Sequence, residues 1–135
     1  MDTMYINRLG FLNTIGHPIF YRKAVPIENN THDEYYKQLD KILRVYHNGG
    51  YKVETLHCDG KYKSMMDPVS DGMNVKMAYS NPGDHVPQAE RNNRTVKNTV
   101  RTTLHRTGYG TIARQMITEL VELCTSGLNV FPAVG

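Results

Sequence analysis

The chain has 135 residues, enough for a single domain that buries a core without covalent or metal reinforcement. Its two cysteines, Cys58 and Cys124, stand far apart and outside any zinc-ligand spacing, which argues against a disulfide framework or zinc module and points to a reducing intracellular compartment. No apolar run approaches the roughly 20 residues needed to cross a bilayer, and no secretory leader is visible. A net charge of +3 permits an anionic partner without demanding one.

The first 27 residues hold three short apolar stretches, around Met4-Tyr5-Ile6, Phe11 to Ile15 and Ile19 to Val25, punctuated by Asn7, Gly10, Gly16 and Pro18. They predict three antiparallel strands joined by tight turns. Thr31 and Glu34 then have the spacing of a capping box, so a helix is expected to begin there. Tyr35, Leu39, Ile42, Leu43 and Tyr46 recur on one helical face until Asn48-Gly49-Gly50 stops the helix. Lys37, Lys41 and Arg44 on the other face read as ordinary solvated surface.

Residues 51–57 form a β-rich run that leads into Cys58-Asp59-Gly60, which puts Asp59 at the end of a strand. Residues 60–71 give no clear reading. Met73, Val75, Met77 and Tyr79 alternate with polar or small residues and predict a fifth strand. Ser80 to Asp84 has loop composition, and Pro87 suits the first turn of a helix running to about Arg106. A last helix to about Ser126 is apolar over a wide arc, from Ile112 to Cys124, as expected for a core element or a subunit interface. This order of elements suggests a mixed sheet with helices on its faces.

Three acids fall where such a fold makes distant positions converge: Asp2 opens the first strand, Asp59 ends the strand after the first helix, and Glu90 lies in the first turns of the helix after the loop. A cluster of hard oxygen donors suits magnesium or manganese, and a pair of such ions suits phosphoryl transfer. Any three acids chosen from the chain's thirteen are more often solvated surface than a metal site. Glu90 stands apart because Arg94, Lys97 and Arg101 follow it at i+4, i+7 and i+11, so one acid and three bases share a helix face. Intrahelical pairing accounts for Glu90 with Arg94. DNA phosphates along the stripe would account for all three bases, with Asn93 and Arg91 as flanking donors. His57 and Cys58, without partners at ligand spacing, read as structural. His85, Tyr79 and Asn81 border the loop before Glu90, where DNA contact and simple structural roles both remain open.

Ala89-Glu90-Arg91-Asn92-Asn93-Arg94-Thr95 resembles the segment that carries the last catalytic acid in integrases of copia-type retrotransposons. The resemblance extends over Leu56-His57-Cys58-Asp59-Gly60, similar to the strand end with the second acid, and over Met1-Asp2-Thr3-Met4, similar to the first strand with its acid. Phe131-Pro132-Ala133 after the final helix is also similar to retroelement sequences. After Asp59 the chain departs from the family, with Gly60-Lys61-Tyr62-Lys63 where an Asn-Gly-Gly-Glu run is usual.

The resemblance implies an RNase H-like three-layer α/β fold, a mixed five-stranded sheet with helices on both faces, spanning residues 1–135 as an integrase core truncated at its N-terminus. It implies divalent-metal-dependent 3′-end processing and strand transfer, with Asp2, Asp59 and Glu90 as catalytic ligands of Mg²⁺ or Mn²⁺. Arg94, Lys97, Arg101, Asn93 and His85 are the expected contacts to double-stranded DNA, both element end and target. A homodimer or higher assembly is expected, acting in the nucleus if the host is eukaryotic. The alternative is a catalytically inactive or domesticated remnant that serves as a DNA-binding or oligomerisation module.

Overall fold

A computed structural model of the chain describes residues 1–17, 19–64, 72–81, 87–108 and 111–130. Strands β1 (Asp2–Ile6) and β2 (Leu9–Ile15) form a hairpin in which Ile6 faces Leu9, leaving Asn7 and Arg8 as a two-residue turn. Both turn residues have positive φ, 48° and 67°, the left-handed geometry that matches the twist of paired strands. β3 (Arg22–Ile27) pairs antiparallel with β2 and forms one edge of the sheet. The three antiparallel strands read from the sequence are therefore present, the third at Arg22–Ile27 rather than Ile19 to Val25.

Alternation along these strands divides the interior in two. Leu12, Val25 and Ile27 point to one face, where they meet Tyr35, Leu39, Ile42 and Tyr46 of helix α1 (His32–Asn48). Met4, Ile6, Phe11 and Ala24 point to the other face. There they meet Val96 and Val100 of α2 (Pro87–Thr107), with Ile117, Val121 and Leu128 of α3 (Arg114–Val130). Each fully buried side chain of this kind contributes roughly 1.5–3 kcal/mol relative to an exposed one. The antiparallel sheet thus lies between helices on both of its faces.

Thr31 caps α1 through its hydroxyl, which accepts from the Glu34 amide at 3.3 Å. The return half of the expected capping box is not made. Glu34 is buried, and its Oε1 accepts from the Glu28 amide and from Gln38 Nε2 instead. At the other end Gly50, with φ of 85°, takes the left-handed conformation, and the amide of Tyr51 donates to the carbonyl of Tyr46 at 2.9 Å.

β4 (Thr55–Asp59) and β5 (Lys76–Ser80) pair in parallel, with Asp59 opposite Ser80. Both strands start later than their sequence patterns suggest. Asn74, with φ of 54°, turns the chain just before β5. The expectation of one mixed five-stranded sheet needs correction: among the described residues, the strands form a three-stranded antiparallel sheet and a two-stranded parallel one. The Met1 nitrogen donates to the His57 carbonyl at 2.9 Å across the junction. One such bond holds β1 beside β4 without the consecutive pairs that define a ladder.

The edge strand β3 is tied to α3 by a side chain. The Arg22 amide donates to Asn129 Oδ1 at 2.6 Å, and Asn129 Nδ2 donates to the Arg22 carbonyl at 2.8 Å. Arg22 Nε also reaches Asn92 Oδ1 at 3.0 Å, which joins α2 to the same corner.

Candidate functional site

The strand alternation that sorts the core also sorts the polar residues at the start of β1. Asp2 shares parity with Met4 and points toward α2, while Thr3 points toward α1. In β4, Leu56 and Cys58 belong to the α1-side core, so Asp59 falls on the opposite side. Both acids lie at the border between the two sheets and are mostly buried, with side-chain exposures of 18% and 19%.

Asp2 is held by donors from three elements. Its Oδ1 accepts from the Thr3 amide at 2.8 Å and faces the Tyr62 hydroxyl at 3.1 Å. Its Oδ2 accepts from Asn93 Nδ2 of α2 at 2.9 Å. Asn93 Oδ1 in turn accepts from Asn13 Nδ2 at 2.9 Å, and Asn13 lies opposite Asp2 in the β1–β2 register. Asn13 is almost fully buried, and its own Oδ1 has no hydrogen-bond partner among the described residues.

Gly60 allows the chain to turn directly after Asp59. A Cβ there would lie 3.0 Å from the Ser80 carbonyl oxygen, so a larger residue would push the turn away from β5. The 3₁₀ turn Gly60–Tyr62 that results sends its last two side chains different ways. Tyr62 goes inward, and its hydroxyl lies 2.7 Å from Thr3 Oγ1 and accepts from the Thr3 amide at 2.9 Å. Tyr35 of α1 reaches the same Thr3 hydroxyl at 3.0 Å. Burial raises the pKa of both phenols, most of all that of Tyr62, so they remain neutral and act as hydrogen-bonding groups. Lys61 stays outside, its ammonium 3.7 Å from Asp2 Oδ1 and 3.9 Å from Asp59 Oδ2. The same ammonium lies 5.0 Å from the centre of the Tyr62 ring. Ser80 Oγ donates to Asp59 Oδ1 at 3.3 Å.

The structure therefore brings Asp2 and Asp59 to one shared cation and packs α2 against Asp2 through Asn93. Glu90 is exposed and lies one turn before Asn93 on that helix. Among the described residues, no three His, Cys, Asp or Glu side chains are gathered so as to hold a metal ion. Asn93, read from the sequence as a DNA contact, commits both ends of its carboxamide within the protein. Arg94 and Arg101 are exposed, and Lys97 is partly exposed. His85 and the segment Phe131-Pro132-Ala133 lie outside the described residues.

Cys58 is fully buried, and burial pushes its thiol up to about 11, which leaves it protonated and inert at neutral pH. That agrees with its reading as structural. Tyr62 and Asn13 were missed from the sequence. The available signal for Asn13 was a polar side chain on the same strand face as Phe11.

These features belong to a mixed α/β domain, with helices on both faces of its antiparallel sheet. The catalytic core domain of BIV integrase is similar to this chain with a TM-score of 0.71, over 100% of this chain and 84% of that one, at 16% identity. At that identity the likeness establishes the fold. No protein-family model matches the sequence, and no curated protein matches it. No helix among the described residues is long and apolar enough to cross a membrane.

Proposed function

We propose that the chain is a retroelement integrase core of the copia type that carries out divalent-metal-dependent 3′-end processing and strand transfer. The observation that carries this reading is the convergence at Asp2: Lys61 lies between Asp2 and Asp59, and Asn93 ties the first turns of α2 to the same carboxylate. The Glu90 segment is the part of the sequence that resembles copia-type enzymes, and the BIV integrase core supplies the likeness of fold.

The donor set fits Mg²⁺ or Mn²⁺, since two carboxylates already present oxygens to one positive charge and hard oxygen ligands are what these ions prefer. When bound, the ions activate an attacking oxygen and stabilise the leaving one. In this reading Asp2, Asp59 and Glu90 are the ligands. Thr3, Tyr62 and Asn93 hold Asp2 in one orientation. Arg94, Lys97 and Arg101 continue the α2 stripe away from the acids and bind phosphates of element or target DNA.

A second reading, that of an inactive remnant that binds DNA or assembles with other subunits, is favoured by Asp2 itself. Both of its oxygens already accept hydrogen bonds, and the described residues gather no third acid around it. The deciding experiment is nicking and joining of a short DNA duplex by the purified protein in Mg²⁺ or Mn²⁺, beside Glu90→Gln. Metal-dependent joining that is lost in Glu90→Gln supports the enzyme. DNA binding without joining in either protein supports the remnant.

A further inference from the structure

We propose that Lys61 is an internal counter-ion that a divalent cation must displace from between Asp2 and Asp59, and that it thereby sets the metal affinity of the site. The inference rests on the reading of these two acids as metal ligands, and it concerns a residue that this reading leaves without a role.

Two carboxylates at the border of the sheets repel each other, and each is only about one-fifth exposed, so water screens them incompletely. Lys61 answers that repulsion. Its ammonium lies within 4 Å of one oxygen of each acid, and the face of Tyr62 lies beneath it. Neither distance is that of a direct hydrogen bond, so the ammonium occupies the space between the acids without being locked to one of them. Its side chain is 62% exposed, which leaves it free to swing into solvent.

A divalent ion that approaches both carboxylates meets a positive charge already in place. Binding must move that charge outward, away from both acids and from the Tyr62 ring. The backbone supports this exchange. Gly60 fixes the turn against β5, and the buried Tyr62 anchors the following residue, so Lys61 can move without disturbing the strand end that carries Asp59. The site thus trades a weak internal cation for a stronger external one.

The test is calorimetric titration of Mn²⁺ into the metal-free protein, with wild type, Lys61→Met, Lys61→Arg, Lys63→Met and Asp59→Asn compared at one ionic strength. Lys61→Met is expected to bind Mn²⁺ about five- to tenfold more tightly, the order expected when one nearby, partly screened charge is removed. Lys61→Arg should stay close to wild type, because the charge remains. Lys63→Met should do the same, because Lys63 is exposed and makes no ion pair with either acid among the described residues. Lys61→Gln replaces the Met variant if that one misfolds. Equal or weaker binding by the neutral variants, with binding still lost in Asp59→Asn, overturns the role of Lys61 alone. Binding that Asp59→Asn leaves unchanged overturns the metal-site reading and this inference with it.

Discussion

Asn93 on α2 donates to Asp2 Oδ2 at 2.9 Å while its own carbonyl accepts from Asn13, so one carboxamide joins the first strand, the second strand and a helix that begins 85 residues after Asp2. Asn93→Ala removes a bond to a charged acceptor and leaves Asn13 Nδ2 without its oxygen partner. The expected loss is about 1–3 kcal/mol in urea unfolding, the range for a partly buried hydrogen bond to a charge. A loss below about 0.5 kcal/mol, the level of ordinary surface substitutions, would mean that this bridge does not hold the strands to α2.

Metal addition should stabilise the fold if Asp2 and Asp59 are ligands, because a cation that binds only the native state shifts unfolding by mass action. At a concentration one hundred times the dissociation constant, the gain is about 2.7 kcal/mol. Thermal melts with rising Mn²⁺ should therefore move upward for the wild type and hardly at all for Asp59→Asn. Parallel curves for the two proteins would remove Asp59 from the metal site.

Stability should fall in alkali by a specific route. Burial pushes the Tyr46 phenol up to about 12, and its hydroxyl donates to the Tyr21 carbonyl at 2.9 Å. In the unfolded chain the same phenol titrates near 10. Above that pH the unfolded state holds fewer protons than the native one, so stability declines as pH rises from about 10 through about 12. Urea midpoints measured at pH 8, 10 and 11 should drop less steeply for Tyr46→Phe than for wild type. Identical slopes would mean that Tyr46 does not carry this effect.

The basic stripe of α2 makes a prediction about salt. Lys97→Ala should weaken binding to unrelated duplexes about equally and lower the slope of log affinity against log salt by about one. An unchanged slope would leave Lys97 as part of a solvated helix face.

The last helix makes a prediction about assembly. Met116 and Leu123, two turns apart on α3, are 52% and 69% exposed in a single copy of the chain. If the chain dimerises through α3, Leu123→Asp should release monomers in light scattering at micromolar concentration. A wild type that is already monomeric under those conditions would remove the dimer from the account.

The sequence made much of this fold legible because local chemistry and tertiary position agree. Thr31 caps α1, Gly50 ends it, and the apolar repeat of α1 and the positions Val96 and Val100 of α2 are the residues that meet the sheet. Two features were harder to read. The β4 and β5 starts depend on a positive φ at Asn74 and on pairing between distant segments, and neither leaves a period in the sequence. At the site, the placement of Asp2 and Asp59 near the border of the sheets follows from strand ends and parity, both of which are local. The roles of Asn13, Lys61 and Tyr62 depend on what lies across the sheet border, and no spacing within one segment reveals that. The five-stranded sheet was overdrawn for the same reason: apolar runs predict strands, but not whether two adjacent strands share a ladder or a single bond.

Asn129 has a consequence for how copies of this molecule can meet. An open sheet edge is an invitation for another chain to add a strand, and β3 is such an edge. Arg22, Ala24 and Pro26 share a parity along it. At Arg22 both backbone groups are taken by the Asn129 carboxamide, and Pro26 has no N–H to offer. A strand arriving at that edge would find its first rung occupied and a later rung without a donor. Growth by strand addition is therefore frustrated along β3, and copies of this chain that meet on that side of the molecule are expected to do so through side chains rather than backbone amides.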